Sequence, residues 1–198
     1  MTEFDVVVIG AGTGGYVAAI RAAQLGHKVA VVEKQKALGG TCLLWGCIPT
    51  KALLEHAHAL KIAQHASDWG VTGVERPGIN MGQVQSRKDR IVSGLSKGVE
   101  FLFKKNKITW IKGTARLAGS GVVDVFEGET TKLRATKDII VATGSSPRSV
   151  PGITIDHKRI ITSDEAIGLS VVPKSMEILG SGAVAVEIAS IFRRFGTQ

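Results

Sequence analysis

The sequence predicts an α/β fold, on three observations. An apolar, β-branched run at residues 4–9 leads through Gly10-Ala11-Gly12-Thr13-Gly14-Gly15 into an apolar-periodic stretch at residues 16–25, which reads as strand, turn and helix. A second passage of the same kind runs from residues 176–179 through Gly180-Ser181-Gly182-Ala183-Val184-Ala185 to residues 186–195. Between them, residues 108–112, 122–126 and 132–136 read as short strands with glycine-containing turns, a small β meander.

The first passage closes into a βαβ unit. Gly26 stops the helix, residues 28–32 form the next strand, and Glu33 ends it. Pro49 suits the first turn of a helix running to about residue 65, where its missing N–H costs nothing. A longer helix is expected over residues 81–105, with Val84, Ile91, Leu95, Val99 and Leu102 on its apolar face. Residues 138–142 form a continuous apolar strand that stops at Thr143-Gly144-Ser145-Ser146-Pro147, and Pro147, Pro151 and Gly152 mark a linker. Ser163 is expected to cap a short helix over residues 163–167. The division is therefore a first domain at residues 1–150 and the opening βα unit of a second at residues 151–198, with the strand that would close that unit not in the chain.

Composition narrows the class of function. Hydrophobic residues make up 44% of the 198, with 24 glycines, which suits a globular α/β protein and not a low-complexity one. No apolar run approaches the roughly 20 residues that span a bilayer, so no membrane partner is expected. The N-terminus has no secretory pattern, and a cytoplasmic location is expected. The net charge of +8 would permit nucleic-acid binding, but Lys104, Lys105, Lys107, Arg193 and Arg194 sit at predicted helix ends, where cations complement the helix dipole. Aromatics are only 5% and do not interleave with these cations, so a stacking platform for bases is not expected.

The first glycine cluster carries a dinucleotide-binding pattern. Gly10 permits the tight turn, Gly12 lets the backbone approach a pyrophosphate, and Gly15 allows helix and strand to pack closely. The phosphates would sit on the helix N-terminus. Glu33, 18 positions after Gly15, falls where a carboxylate can accept from a ribose hydroxyl. The second cluster, Gly180, Ser181, Gly182 and Ala185, has the same strand-to-helix context without an acidic partner in the chain.

Cys42 and Cys47, the only two cysteines, lie in Gly39-Gly40-Thr41-Cys42-Leu43-Leu44-Trp45-Gly46-Cys47-Ile48-Pro49-Thr50-Lys51. Metal ligation lacks a second Cys or His pair at ligand spacing. His56 and His58 are near in sequence but point to different sides of a helix. Packing as small hydrophobes stays open. So does a redox couple: Cys47 precedes Pro49 at a helix start, whose dipole favours a thiolate. In an ideal helix, residues five apart are too distant for a disulfide, so pairing would need a distorted turn, which Gly39, Gly40 and Gly46 permit.

Taken together, GAGTGGYVAAIRAAQLG, GGTCLLWGCIPTK, IIVATGSSPRSVPG and ILGSGAVAVEIASIFRRFG resemble, in order and spacing, the flavin-dependent pyridine nucleotide-disulfide oxidoreductases, most closely their dihydrolipoamide-oxidising branch. The resemblance implies a Rossmann-like FAD-binding domain with its meander, then the start of a second Rossmann-like domain for NAD, with NADP the less expected nucleotide. It implies FAD contacts from Gly10, Gly12, Gly15, Glu33, Lys34, Gly40, Thr41, Cys42, Lys51, Ala115, Thr143, Gly144 and Ser145, and nicotinamide-nucleotide contacts around Gly180, Ser181, Gly182, Ala185 and Glu187. Cys42 would exchange with a small-molecule or lipoyl-domain dithiol, Cys47 would face the flavin, and Lys51 and Glu187 would form a pair beside it. Dihydrolipoamide would thus reduce a Cys42–Cys47 disulfide, and electrons would pass through FAD to NAD⁺.

Two departures qualify this. Ala185 stands where the dehydrogenases usually have glycine and NADP-dependent relatives have alanine, which keeps an NADPH-dependent disulfide or mercuric reductase relative as an alternative. Family enzymes are also much longer, act as homodimers and carry a histidine base in a later domain. His56-Ala57-His58 does not continue as that motif does. The chain is accordingly expected to be an incomplete, inactive portion, or a non-catalytic FAD-binding fragment.

Overall fold

The computed structural model describes residues 1–198. They form two compact units: residues 1–44 with 93–145, and residues 45–92 with 146–198. No helix is long and apolar enough to cross a membrane.

The first unit is built on one six-stranded sheet. β1 (Thr2–Ile9), β2 (Val29–Glu33) and β3 (Thr109–Lys112) are parallel, while β4 (Thr114–Leu117), β5 (Val122–Glu127) and β6 (Glu129–Val141) form an antiparallel meander. The order is β3-β2-β1-β6-β5-β4. β6 joins the two halves: its start pairs antiparallel with β5, and it runs parallel to β1 out to Val141. The strands expected at residues 132–136 and 138–142 are therefore one strand. The polar pair Thr136-Lys137 between them is not a break, because Thr136 Oγ1 donates to the Phe4 carbonyl at 3.2 Å and stays in the ladder region.

A bulge in β1 sets which residues reach the core. The Asp5 and Val6 N–H groups both donate to Lys28 O, at 2.8 and 3.2 Å, and the register against β6 shifts between Phe4 and Val6. An extra residue of this kind switches strand parity. Phe4, Val7 and Ile9 thus join Ala30, Val32, Val123, Val125, Leu133 and Ala135 in one cluster. Each fully buried Val or Ile contributes about 1.5–3 kcal/mol, so this cluster outweighs any single polar contact in the unit. α1 (Thr13–Gln24) packs on β1 and β2 through Gly15, Ala19 and Ala22, small residues at helical spacing that permit close approach.

The second unit is helical. α3 (Cys47–Gln64) offers Leu53, Ala57 and Leu60 to Ile188, Ile191, Phe192 and Phe195 of α6 (Ala183–Phe195). The Phe192 and Phe195 rings meet edge to face, with centroids 6.2 Å apart. α5 (Ser163–Ala166) is capped by Thr162 and not by Ser163: the Asp164 N–H donates to Thr162 Oγ1 and the Thr162 N–H to Glu165 Oε2, a reciprocal capping box. The missed signal was the Thr-x-x-Glu spacing. Residues 176–179 are not a strand, because no strand in this unit offers them a ladder and Met176 instead donates its N–H to Gln198 O at 3.0 Å.

α4 (Met81–Lys105) contributes to both units, and its buried face differs from the expected one. Val84 and Val99 are buried as expected, but Leu95 and Leu102 are 45% and 37% exposed. The buried line is Met81, Val84, Lys88, Ser96, Val99 and Phe103. Two polar residues lie on it because each finds partners: Ser96 Oγ donates to Leu38 O at 2.7 Å, and Lys88 Nζ donates to Gln85 Oε1 and Ile167 O.

Candidate functional site

In the first unit the site is built at the carboxyl ends of β1, β2 and β6, around Gly10 to Gly15. Gly10 has φ +100°, and a methyl group there would meet the Ala142 carbonyl oxygen at 2.2 Å. A methyl group on Gly15 would come within 1.8 Å of Gly10 O. The turn and the helix approach therefore demand glycine at both positions. Gly12 differs: its φ is −72°, and an added methyl group would meet only Gly40 Cα, at 3.7 Å. Nothing in the chain requires a glycine at Gly12.

The same loop leaves its helix N-terminus open. Gly12 is the N-cap of α1 with no side-chain cap bond, and the first turn carries no acid. The orphan N–H groups of that turn are a site for an anion. Glu33, buried at the end of β2, holds the loop from behind: its Oε2 accepts the Ala11 N–H and its Oε1 the Gln35 N–H, both at 2.8 Å. Spacing alone had suggested a ribose partner and gave no sign of these two backbone bonds. A carboxylate has about four lone-pair sites, so both oxygens keep acceptor capacity for a ribose hydroxyl.

Other expected cofactor residues gather on this loop. Gly39 donates its N–H to Ala11 O at 3.0 Å, and Gly40 lies against Gly12 so closely that a methyl group on it would meet Gly12 Cα at 2.4 Å. These contacts start α2 (Gly40–Trp45), a short helix the sequence reading did not anticipate, which carries Thr41 and a half-buried Cys42. Ala142 donates to Ile9 O at 2.8 Å, which brings the turn Thr143-Gly144-Ser145 beside Gly10. Lys34 is exposed just past β2. Ala115, in β4 opposite Val125, packs its methyl group on the core. The donor set, the open Gly12 and the uncapped helix fit the diphosphate of a dinucleotide such as FAD.

The second unit holds the remaining candidates. Cys47 is exposed at the first position of α3, after Gly46, which interrupts the helical path between α2 and α3 with φ −130° and ψ −113°. Pro49 and Thr50 are buried in that first turn, where Thr50 Oγ1 donates to Gly46 O at 2.6 Å. One turn farther, Lys51 Nζ lies 2.5 Å from Glu187 Oε1 of α6, which places the expected pair together. Gly180 has φ +136°, and Gly182 caps α6 without a side-chain bond or an acid in the first turn, while Ala185 is half-buried. This repeats the open N-terminus of α1 without a carboxylate such as Glu33 behind it.

Residues 4–198 match the family model described as pyridine nucleotide-disulphide oxidoreductase. The chain belongs to this family. It is 50% identical over 201 residues to dihydrolipoyl dehydrogenase 3 of Pseudomonas putida, covering all of this chain and 43% of that protein. It is 46% identical over 208 residues to dihydrolipoyl dehydrogenase of Bacillus subtilis, again covering 100% of this chain and 43% of the relative. Among solved structures, the Cu(II) complex of the HOCl-induced flavoprotein disulfide reductase RclA from Escherichia coli matches with a TM-score of 0.82 and 27% identity, over 100% of this chain and 42% of that one. The chain thus spans less than half the length of these family relatives.

Proposed function

We propose that this chain supplies the FAD-binding and dithiol-exchanging part of a dihydrolipoamide:NAD⁺ oxidoreductase, with residues 1–150 serving the flavin and residues 151–198 opening the nicotinamide-nucleotide domain. The reading is supported most by Gly12: the fold does not need glycine there, whereas a pyrophosphate lying on the N-terminus of α1 does. Gly10, Gly15, Glu33, Gly40 and the turn Thr143-Gly144-Ser145 complete that cradle, with Lys34, Thr41 and Ala115 as lesser contacts. Gly180, Ser181, Gly182 and Ala185 would hold the nicotinamide nucleotide.

In this reading a dihydrolipoamide thiolate attacks Cys42 Sγ of a Cys42–Cys47 disulfide, forming a mixed disulfide and releasing Cys47 as a thiolate. The second substrate thiol then attacks its own partner sulfur, closing the lipoamide ring and releasing Cys42. FAD held in that cradle would supply the two-electron relay between this dithiol and NAD⁺. Lys51, held by Glu187, supplies positive charge beside that centre, and the working form is a homodimer.

The test is a titration of the purified chain with FAD, followed by flavin fluorescence and by alkylation of the cysteines. Saturable binding that shields Cys47 from alkylation, and is lost in Gly12→Leu, is the expected result. No binding, or equal binding by Gly12→Leu, would overturn it. Ala185→Gly separates the nucleotides: if alanine selects NADP, the exchange shifts preference towards NAD⁺.

A further inference from the structure

The second unit has a cavity of about 620 Å³ that the proposed redox chemistry does not use, between α3 and the start of α4. Its lining includes Arg87 and Arg90 of α4 and His56 of α3, and no Asp or Glu. Neither guanidinium makes an ion pair or hydrogen bond within the chain, although five donors in a rigid fork make it a natural partner for an oxyanion. Three apart on one helix, they are neighbours on the same face.

The start of α4 adds neutral donors to the two arginines. His56 Nδ1 lies 2.7 Å from the Ala52 carbonyl oxygen and donates to it, so His56 contributes a wall of the cavity and not a donor to an anion. Asn80 caps α4, accepting the Gln83 N–H on Oδ1 at 3.1 Å, which leaves its amide N–H₂ as a donor. The N–H of Gly82 is among those of the first turn without an intrahelical partner, and α4 has no acid in that turn. The charged side chains on the wall, Arg87 and Arg90, are both cationic.

We propose that this cavity binds an organic phosphate, with Arg87 and Arg90 clamping the phosphate and Ile79 and Val84 floored beneath the organic part. The proposal does not rest on the flavin reading, since none of the cavity's residues is among those assigned to the flavin or to the cysteine chemistry. The experiment is isothermal titration of the full chain with inorganic pyrophosphate at fixed ionic strength. Saturable binding tighter than about 1 mM is expected, weakened at least about tenfold in Arg87→Gln/Arg90→Gln, as loss of two charge-assisted contacts requires. Arg116→Gln, an exposed arginine on β4, should leave the affinity unchanged. Absence of saturable heat, unchanged affinity in the double variant, or an equal loss in Arg116→Gln would overturn the proposal. Pyrophosphate held at the glycine loop of α1 would give the second of these results, because neither arginine is in that unit.

Discussion

The Glu33 carboxylate accepts the backbone N–H of Ala11 at 2.8 Å, so the acid that ends β2 also fixes the centre of the glycine loop. Its other oxygen takes the Gln35 N–H, and the side chain is 8% exposed. In Glu33→Gln, one of the two oxygens becomes an N–H₂ group, and one backbone donor is left facing another donor. Leaving a buried donor unpaired costs about 1–3 kcal/mol. Urea unfolding should show that loss. FAD affinity should fall with it, because the loop that presents Gly12 loses an anchor.

Gly15 and Gly12 should separate folding from binding. Gly15→Ala forces its methyl group to within 1.8 Å of Gly10 O, a backbone atom that cannot move without shifting β1, and it should unfold the unit or cost several kcal/mol, on the order of an overpacked core site. Gly12→Ala meets only ordinary contact at 3.7 Å and should change stability by less than about 0.5 kcal/mol. Its effect should appear in the flavin titration alone. Equal destabilisation by the two would remove the case that Gly12 serves a ligand.

The Lys51–Glu187 pair is close, at 2.5 Å, but the two side chains are 58% and 27% exposed. Such pairs contribute about 0–1 kcal/mol to stability. Glu187→Gln should therefore move the urea midpoint little, and less at high salt, while a role beside the flavin would appear as a changed rate of dithiol reduction of FAD-loaded protein.

Around α5, stability should depend on acid. Glu165 has its pKa lowered to about 2, first by the Thr162 hydroxyl and backbone N–H and then by His157, whose Nδ1 lies 2.7 Å from Glu165 Oε1. A depressed carboxylate contributes stability above its unfolded value of 4.5 that is lost as pH falls from there towards 2. Asp156 is also lowered, by the N–H groups of Lys158, Ile160 and Arg159. Asp164 is raised by burial and by Glu165, so it opposes part of the loss. Urea midpoints across that window should fall less steeply in Glu165→Gln than in the parent chain.

The parts legible in the sequence were those fixed by local chemistry. The glycine loop and the βαβ unit follow from which residues tolerate a turn, and α3 begins within the Pro49 signal. The parts that were not legible depend on partners distant in sequence. Residues 176–179 have strand composition, but a strand exists only in a ladder. Thr136-Lys137 looked like a boundary, yet β6 runs through it because β1 lies alongside. Glu33 was placed correctly at the end of β2, and its bond to Ala11, 22 residues back, could not be read from spacing.

The same distinction makes α4 the sharpest test of the packing. Leu95 and Ser96 are adjacent, and hydrophobicity assigns the buried position to Leu95. The structure gives it to Ser96, 4% exposed, because its hydroxyl reaches the Leu38 carbonyl at 2.7 Å and so is satisfied when buried. Leu95→Ser should therefore cost under about 0.5 kcal/mol, as at other surface positions. Ser96→Ala leaves the Leu38 carbonyl without its donor and should cost about 1–3 kcal/mol. Measured by urea unfolding, the reverse order would restore the Leu95 face and the register of α4 expected from hydrophobic periodicity.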